Sequence, residues 1–262
     1  PTTRGCWARP EPGVRGSDGE REPHQGAQRA SMTGKYQRVR AVVDAIAGLL
    51  RACCGEGGAT AEAAQRTLDR LATTALTPGA FTDLPPQSPG RHRALLNEAI
   101  EHMQAPGLLA LQRAVSEALD DLVWAEDQMK YYAPDADVGP GYRDGNLHTL
   151  LIGPGACGFD HADFTLGLFL LHPRTLYRDH AHPAPETYLN LSPRSGWRFG
   201  ESDWRDLGPG SLVFNAPMAP HATRSYARPF FSVFSWLEDI GDPCVVLPRD
   251  DWMAIERALP DL

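Results

Sequence analysis

Apolar positions recur along this chain at two periods, and the period changes once. Between Tyr36 and about Leu76, Val39, Val42, Val43, Ile46, Leu49 and Leu50 fall at helical spacing. Leu68 and Leu71 resume that spacing after a glycine-rich break at 55–58. A proline-rich stretch at 78–89 follows. From about His92 to Trp124 the helical period returns, with Leu95, Leu96, Ile100 and Met103 on one face, a break at Pro106 and Gly107, and then Leu108, Leu111, Val115, Leu119 and Val123. Past Tyr131 the texture changes to short apolar runs separated by Gly and Pro, at 147–152, 164–171, 187–191, 211–214 and 230–236. Such runs predict a β-sandwich or barrel. The predicted fold class is therefore α+β, mainly β: a helical N-terminal region over 32–130 and an all-β part over 131–262, with the helices covering the outside of the barrel.

Residues 1–31 are rich in Arg, Gly, Pro, Glu and Ser and nearly free of aliphatic residues. They cannot bury enough apolar area to offset their ordering entropy, so disorder is expected there, with Met32 as the natural start. The rest has ordinary globular composition, 42% hydrophobic and 22% charged, and 262 residues suffice for one or two domains. A net charge of -8 disfavours nucleic acid and anionic membranes as partners, since both select basic surfaces. The longest apolar run is strand-sized, well short of the roughly 20 residues of a membrane span. The N-terminus lacks an apolar signal core. Cys6, Cys53, Cys54, Cys157 and Cys244 are odd in number and form no C-x-x-C spacing, which suits free thiols in a reducing cytoplasm. A homodimer is compatible with all of this.

One segment carries chemistry: Tyr177-Arg-Asp-His180-Ala-His182-Pro-Ala-Pro-Glu186-Thr-Tyr188. His180 and His182 are two apart, so on a strand they face one side, and Glu186 and Tyr188 do the same on the next. Pro183 and Pro185 favour a turn between the pairs. His221 follows a tight turn, a short strand and a second turn, and is the best distant fourth ligand. Nitrogen and oxygen donors without thiolates suit zinc, iron(II), manganese, nickel or cobalt. Glu186 is either a ligand or an acceptor that orients a ligating imidazole. His24, His92, His102, His148, His161 and His172 read as surface or satisfied core residues.

At these residues the sequence resembles the cupin superfamily, with His180, His182 and Glu186 matching its first motif and His221 its second. It departs from the common pattern at Gly196, which comes late, and at Ala219 and Ser225. A narrower resemblance is to the cupin-type dimethylsulfoniopropionate (DMSP) lyases, carried by Y-x2-H-x-H-x3-E-x-Y from Tyr177 to Tyr188, by His221-Ala-Thr-Arg224 and by Phe234-Ser-Trp236-Leu-Glu-Asp239. That resemblance implies a double-stranded β-helix (jelly-roll) barrel behind a helical region. It implies one divalent metal ion on His180, His182, Glu186 and His221, and β-elimination of DMSP, a small molecule, to acrylate and dimethyl sulfide. Tyr188 would act as base and Tyr177 beside it. The sulfonium lacks a hydrogen-bond donor and suits aromatic faces, at about 0.5–2 kcal/mol each. Tyr131, Trp197 and Trp236 are the substrate-binding candidates. Two other readings share the motif: a related cupin with another substrate, and an iron(II) cupin dioxygenase. A metal-bearing sensor is disfavoured by the lack of a DNA-binding motif or basic region.

Overall fold

A computed structural model describes residues 22–261. Four helices come first: α1 (Glu22–Cys53), α2 (Gly58–Thr73), α3 (Arg93–Glu101) and α4 (Leu109–Ala118). The chain reverses between α1 and α2 at Gly57 and Gly58, whose φ values of 75° and 78° favour glycine. After α5 (Pro140–Gly145) come β1 (Asn146–Ile152), β2 (Thr165–Leu171), β3 (Leu176–Ala181), β4 (Glu186–Asn190) and β5 (Ser195–Phe199). Then follow β6 (Arg205–Leu207), β7 (Leu212–Asn215), β8 (His221–Arg224), β9 (Phe230–Trp236), β10 (Val245–Val246) and α6 (Trp252–Ala258). Helix α1 starts at Glu22, so the described part of the segment expected to be disordered is helical. Pro23 lies in its first turn, where the missing N–H costs nothing. Residues 1–21, the rest of that segment, lie outside the described residues.

The strands form two five-stranded antiparallel sheets, in the orders β1-β2-β9-β4-β7 and β10-β3-β8-β5-β6. With β1 and β10 set aside, the eight remaining strands follow the jelly-roll order of a double-stranded β-helix, as expected. The first sheet has no wet face. Along β2, Leu166, Leu168 and Leu170 join Val39, Val42 and Ile46 of α1, Leu96 of α3 and Leu111 of α4 in one core. The alternate residues Phe169 and Leu171 belong to a second core inside the barrel, with Tyr177, Tyr188 and Trp197. Strand β9 divides the same way, Phe231 and Val233 toward the helices and Phe230 and Trp236 inward. At about 1.5–3 kcal/mol per fully buried large apolar side chain, this shared sheet welds the helical layer to the barrel. On its inner face Gly167 pairs with Phe234, and a Cβ there would fall 2.3 Å from the Thr149 carbonyl oxygen and 2.7 Å from the Phe234 ring.

The second sheet is covered differently. Buried Arg198 on β5 donates from Nε and Nη2 to the Asp179 carboxylate on β3 at 3.1 and 2.5 Å. Trp252 of α6 donates to the same carboxylate at 2.7 Å, while Arg178 pairs with Glu256 of α6. Charged residues here are interior residues, so β3 and β5 carry no apolar run to mark them, and α6 lies in a stretch expected to be β. Among the described residues no helix is long and apolar enough to cross a membrane, and Cys54, Cys157 and Cys244 are free thiols.

Candidate metal centre

Strands β3, β4 and β8 bring the motif residues to one point. His180 lies directly opposite His221 in the β3–β8 ladder, with ring centres 4.2 Å apart, and His182 sits just past the end of β3. All three histidines are buried, and their ligand atoms lie within 4.8 Å of one another. Each donates its Nδ1–H to a backbone carbonyl: His180 to Arg178 at 2.7 Å, His182 to Ala184 at 2.8 Å and His221 to Ala219 at 2.9 Å. These bonds fix the rings and reserve every Nε2 for the centre. The Nε2 of His221 is buried and has no hydrogen-bond partner among the described residues, an orphan that a metal ion would satisfy.

Glu186 supplies the oxygen. Its Oε2 lies 3.2 Å from His182 Nε2 and 3.3 Å from His221 Nε2. The two cross-strand neighbours of Glu186 hold its carboxylate from either side. Trp236 on β9 donates Nε1 to Oε1 at 2.8 Å, and Asn215 on β7 donates Nδ2 to Oε2 at 3.0 Å. Burial works against its charge, but His182 and His221 hold the Glu186 carboxyl well below the usual range. Burial likewise pulls His182 down, and Glu186 outweighs it and lifts that imidazole. His180 is pushed well down by burial and by its two histidine neighbours. The centre thus gathers three imidazole nitrogens and one buried carboxylate, a donor set that suits a divalent cation.

A cavity of about 50 Å³ opens beside these ligands, lined by Tyr131, Tyr132, Tyr142, Phe169, Tyr177, Tyr188, Phe234 and Trp236, with Asp127, His148 and Cys244. Tyr177 enters it through an irregularity in β3. Tyr177 pairs with Thr223 and His180 with His221, so three steps on β3 face two on β8. A separation of three would otherwise put Tyr177 and His180 on opposite faces; the bulge puts both inside. The Tyr177 ring stacks between His180, at 4.1 Å, and Tyr142, at 4.0 Å, and its hydroxyl meets that of Tyr132. Burial raises the Tyr132, Tyr142, Tyr177 and Tyr188 phenols well above 10, and for Tyr188 the Glu186 carboxylate adds to it.

Residues 63–232 match the dimethylsulfoniopropionate lyase family, a span that holds all four candidate ligands and both Tyr177 and Tyr188. The chain belongs to that family. A curated relative, dimethylsulfoniopropionate lyase DddQ of Ruegeria pomeroyi, is 34% identical over 105 residues, 39% of this chain and 51% of DddQ. The match thus spans about half the length of that relative. A crystal structure of the DMSP lyases RdDddP and RnDddQII superposes with a TM-score of 0.54 at 19% identity, covering 80% of this chain and 100% of that one. This is a likeness of fold.

Within this member of the dimethylsulfoniopropionate lyase family, the expected site residues divide. His180, His182, Glu186, Tyr188, Tyr177, Tyr131 and Trp236 all line the one cavity, and His221 stands beside His180. Trp197 does not reach the cavity wall. It is fully buried behind Tyr188, ring centres 5.1 Å apart, and donates Nε1 to Ser195 at 3.0 Å. Trp236 proves to be a hydrogen-bond donor to Glu186 as well as an aromatic wall, standing 5.0 Å from Tyr131. Asp127, Tyr132, Tyr142, Asn215 and Phe234 were not anticipated. Phe234 opens a segment that carries the resemblance and Tyr132 is adjacent to Tyr131, whereas Asp127, Asn215 and Tyr142, the last in α5, carried no motif signal.

Proposed function

We propose that this protein is a metal-dependent carbon–sulfur lyase that cleaves DMSP to acrylate and dimethyl sulfide by β-elimination. The observation that carries the proposal is the convergence of three Nε2 atoms and the Glu186 carboxylate beside a buried phenol in a mainly aromatic cavity, in a chain of the DMSP lyase family. His180, His182, His221 and Glu186 would hold a divalent cation, which would supply the positive charge that favours an enolate-like substrate carboxylate and the phenolate of Tyr188.

The chain's own residues account for the rest. Tyr188 as phenolate takes the α-proton, the C–H electron pair becomes the new double bond, and the Cβ–S bond breaks with its pair leaving on dimethyl sulfide. Atoms and charge balance without a redox partner. Burial and the Glu186 carboxylate hold this phenol protonated in the metal-free site, so its activity as a base depends on positive charge at the centre. Tyr177, locked between His180 and Tyr142, bounds the cavity and helps exclude water.

The test is dimethyl sulfide release from DMSP, followed by gas chromatography with metal-loaded protein. Turnover is expected from the wild type, with a loss of about 10²–10⁴-fold in Tyr188→Phe at unchanged metal content. No release from loaded wild-type protein between neutral and alkaline pH overturns the proposal, and full activity in Tyr188→Phe removes Tyr188 from it.

A further inference from the structure

Asp127 lies between α4 and α5, outside every motif discussed above, yet its side chain lines the same cavity as His180, His182, Glu186 and Tyr188. It is 8% exposed. Its placement is enforced from several directions. Tyr142 donates its hydroxyl to Oδ2 at 2.8 Å, and the Lys130 backbone N–H donates to Oδ1 at 3.0 Å. The Asp127 backbone is held in turn by Asn146, whose Oδ1 accepts the Asp127 N–H at 2.5 Å and whose Nδ2 reaches the Asp127 and Tyr142 carbonyls at 3.4 and 2.8 Å. Both donors to the carboxylate are uncharged, and His148 in the same lining, the imidazole that feels its charge, is pushed down by burial rather than held as a cation. A buried carboxylate without a counter-charge is costly unless something supplies one.

We propose that Asp127 is the cation-selecting group of this cavity, favouring carboxylates whose far end carries a sulfonium or quaternary ammonium. This rests on the lyase proposal for the identity of the anionic end. The chemistry fits the surroundings. An onium centre bearing only alkyl groups offers no N–H or O–H, so it can be recognised only by fixed negative charge and by aromatic faces. Asp127 provides the first, and Tyr131, Tyr132, Tyr142 and Phe169 in the same lining provide the second. Each oxygen of Asp127 accepts one hydrogen bond from an uncharged donor, which holds the carboxylate in place without pairing its charge. One lining therefore holds both the imidazoles that would take a substrate carboxylate and, in Asp127, a carboxylate suited to a cation. The opposing account is that Asp127 merely caps the turn to Lys130.

Two non-reacting probes of the same shape decide between them: 3-(trimethylammonio)propionate, with a cationic tail, and its carbon isostere 4,4-dimethylpentanoate, a carboxylate with a neutral tail (the cationic and neutral probes below). Binding of each to zinc-loaded protein is measured by calorimetry. Wild type is expected to prefer the cationic probe by about tenfold or more, the size of effect that aromatic and carboxylate recognition of a desolvated cation supplies. Asp127→Asn keeps the shape and can keep both hydrogen bonds. It should reduce the preference to within about twofold while leaving affinity for the neutral probe unchanged. Tyr142→Phe keeps the charge and the ring and should retain the preference. An equal preference in Asp127→Asn, equal weakening of both probes, loss of preference in Tyr142→Phe, or no preference in the wild type each overturns the assignment. Failure of the cationic probe to bind the wild type does so as well. Because no turnover is read, cation preference without dimethyl sulfide release would refute the reaction and keep Asp127. Release without preference would do the reverse.

Discussion

Asn215 offers a sharp separation of function from stability. Its Nδ2 holds Oε2 of Glu186 at 3.0 Å, while its Oδ1 is buried without a partner among the described residues. Asn215→Leu has two opposing effects on the metal-free protein. It removes a hydrogen bond to a charged acceptor, a loss of about 1.5–3 kcal/mol, and it removes an orphaned buried carbonyl, a gain of about 1–3 kcal/mol. The two nearly cancel, so metal-free stability should change by less than about 1 kcal/mol, or roughly 2–4 °C in Tm for a chain of this size. Metal affinity has no such compensation. Loss of a partner that orients a ligand weakens binding by about 10–100-fold. At fixed free metal well above Kd, metal-induced stabilisation should therefore shrink by about 1.4–2.7 kcal/mol. Thermal unfolding with chelator and with buffered zinc, beside a competition titration against a chromophoric chelator, reads both quantities. A large fall in metal-free Tm with an unaltered zinc-induced shift would refute the reasoning, making Asn215 a packing residue of β7 with no hold on Glu186.

Further outcomes follow from the same geometry. Arg198→Met leaves the buried Asp179 carboxylate without its cation and should cost about 3–5 kcal/mol in denaturant unfolding; a cost below about 1 kcal/mol contradicts the account of α6 docking. Gly167→Ala forces a Cβ against the Thr149 carbonyl, a backbone atom that cannot swing away, and should destabilise by about 1–3 kcal/mol or more; an unchanged Tm would mean that β1 and β2 yield freely. Hydrogen bonds from Arg91 and His92 hold the Glu126 carboxyl down to about 2, from an ordinary 4.5. The folded-state value is depressed, so its stabilising contribution is present above pH 4.5 and is lost as pH falls toward 2. The urea midpoint of wild type should thus converge on that of Glu126→Gln across this window, and a constant gap would count against the pairing.

The parts of the fold legible in the sequence are those where burial is apolar. Strand β9 carries Phe230, Phe231, Val233, Phe234 and Trp236 in one run, and its limits at 230–236 match the expected ones. Strands β3 and β5 are equally buried, but their interior partners are Arg178, Asp179 and Arg198, which read as surface residues until α6 covers them. The candidate ligands were legible because a metal centre would need particular side chains at particular spacings, and His180, His182, Glu186 and His221 leave such a local trace. The cavity wall was less so. Tyr142 and Asp127 are brought in by the Asn146 network from a non-periodic connection, and such long-range placement has no one-dimensional signature. Trp197 shows the converse: an aromatic residue at a suggestive place that packs one layer behind the phenol it supports.

The extra residue in β3 makes one wall of the cavity a property of chain length rather than of residue identity. Deleting Arg178 or Asp179 would restore even pairing with β8. The two histidines would keep their places while Tyr177 turned outward, and Tyr142 and His180 would lose the ring stacked between them. A relative could therefore keep every ligand and every tyrosine of the motif and still present a differently shaped, wetter cavity. Insertions and deletions between Tyr177 and His180 should thus be a route by which such barrels change what they accept without touching the metal centre.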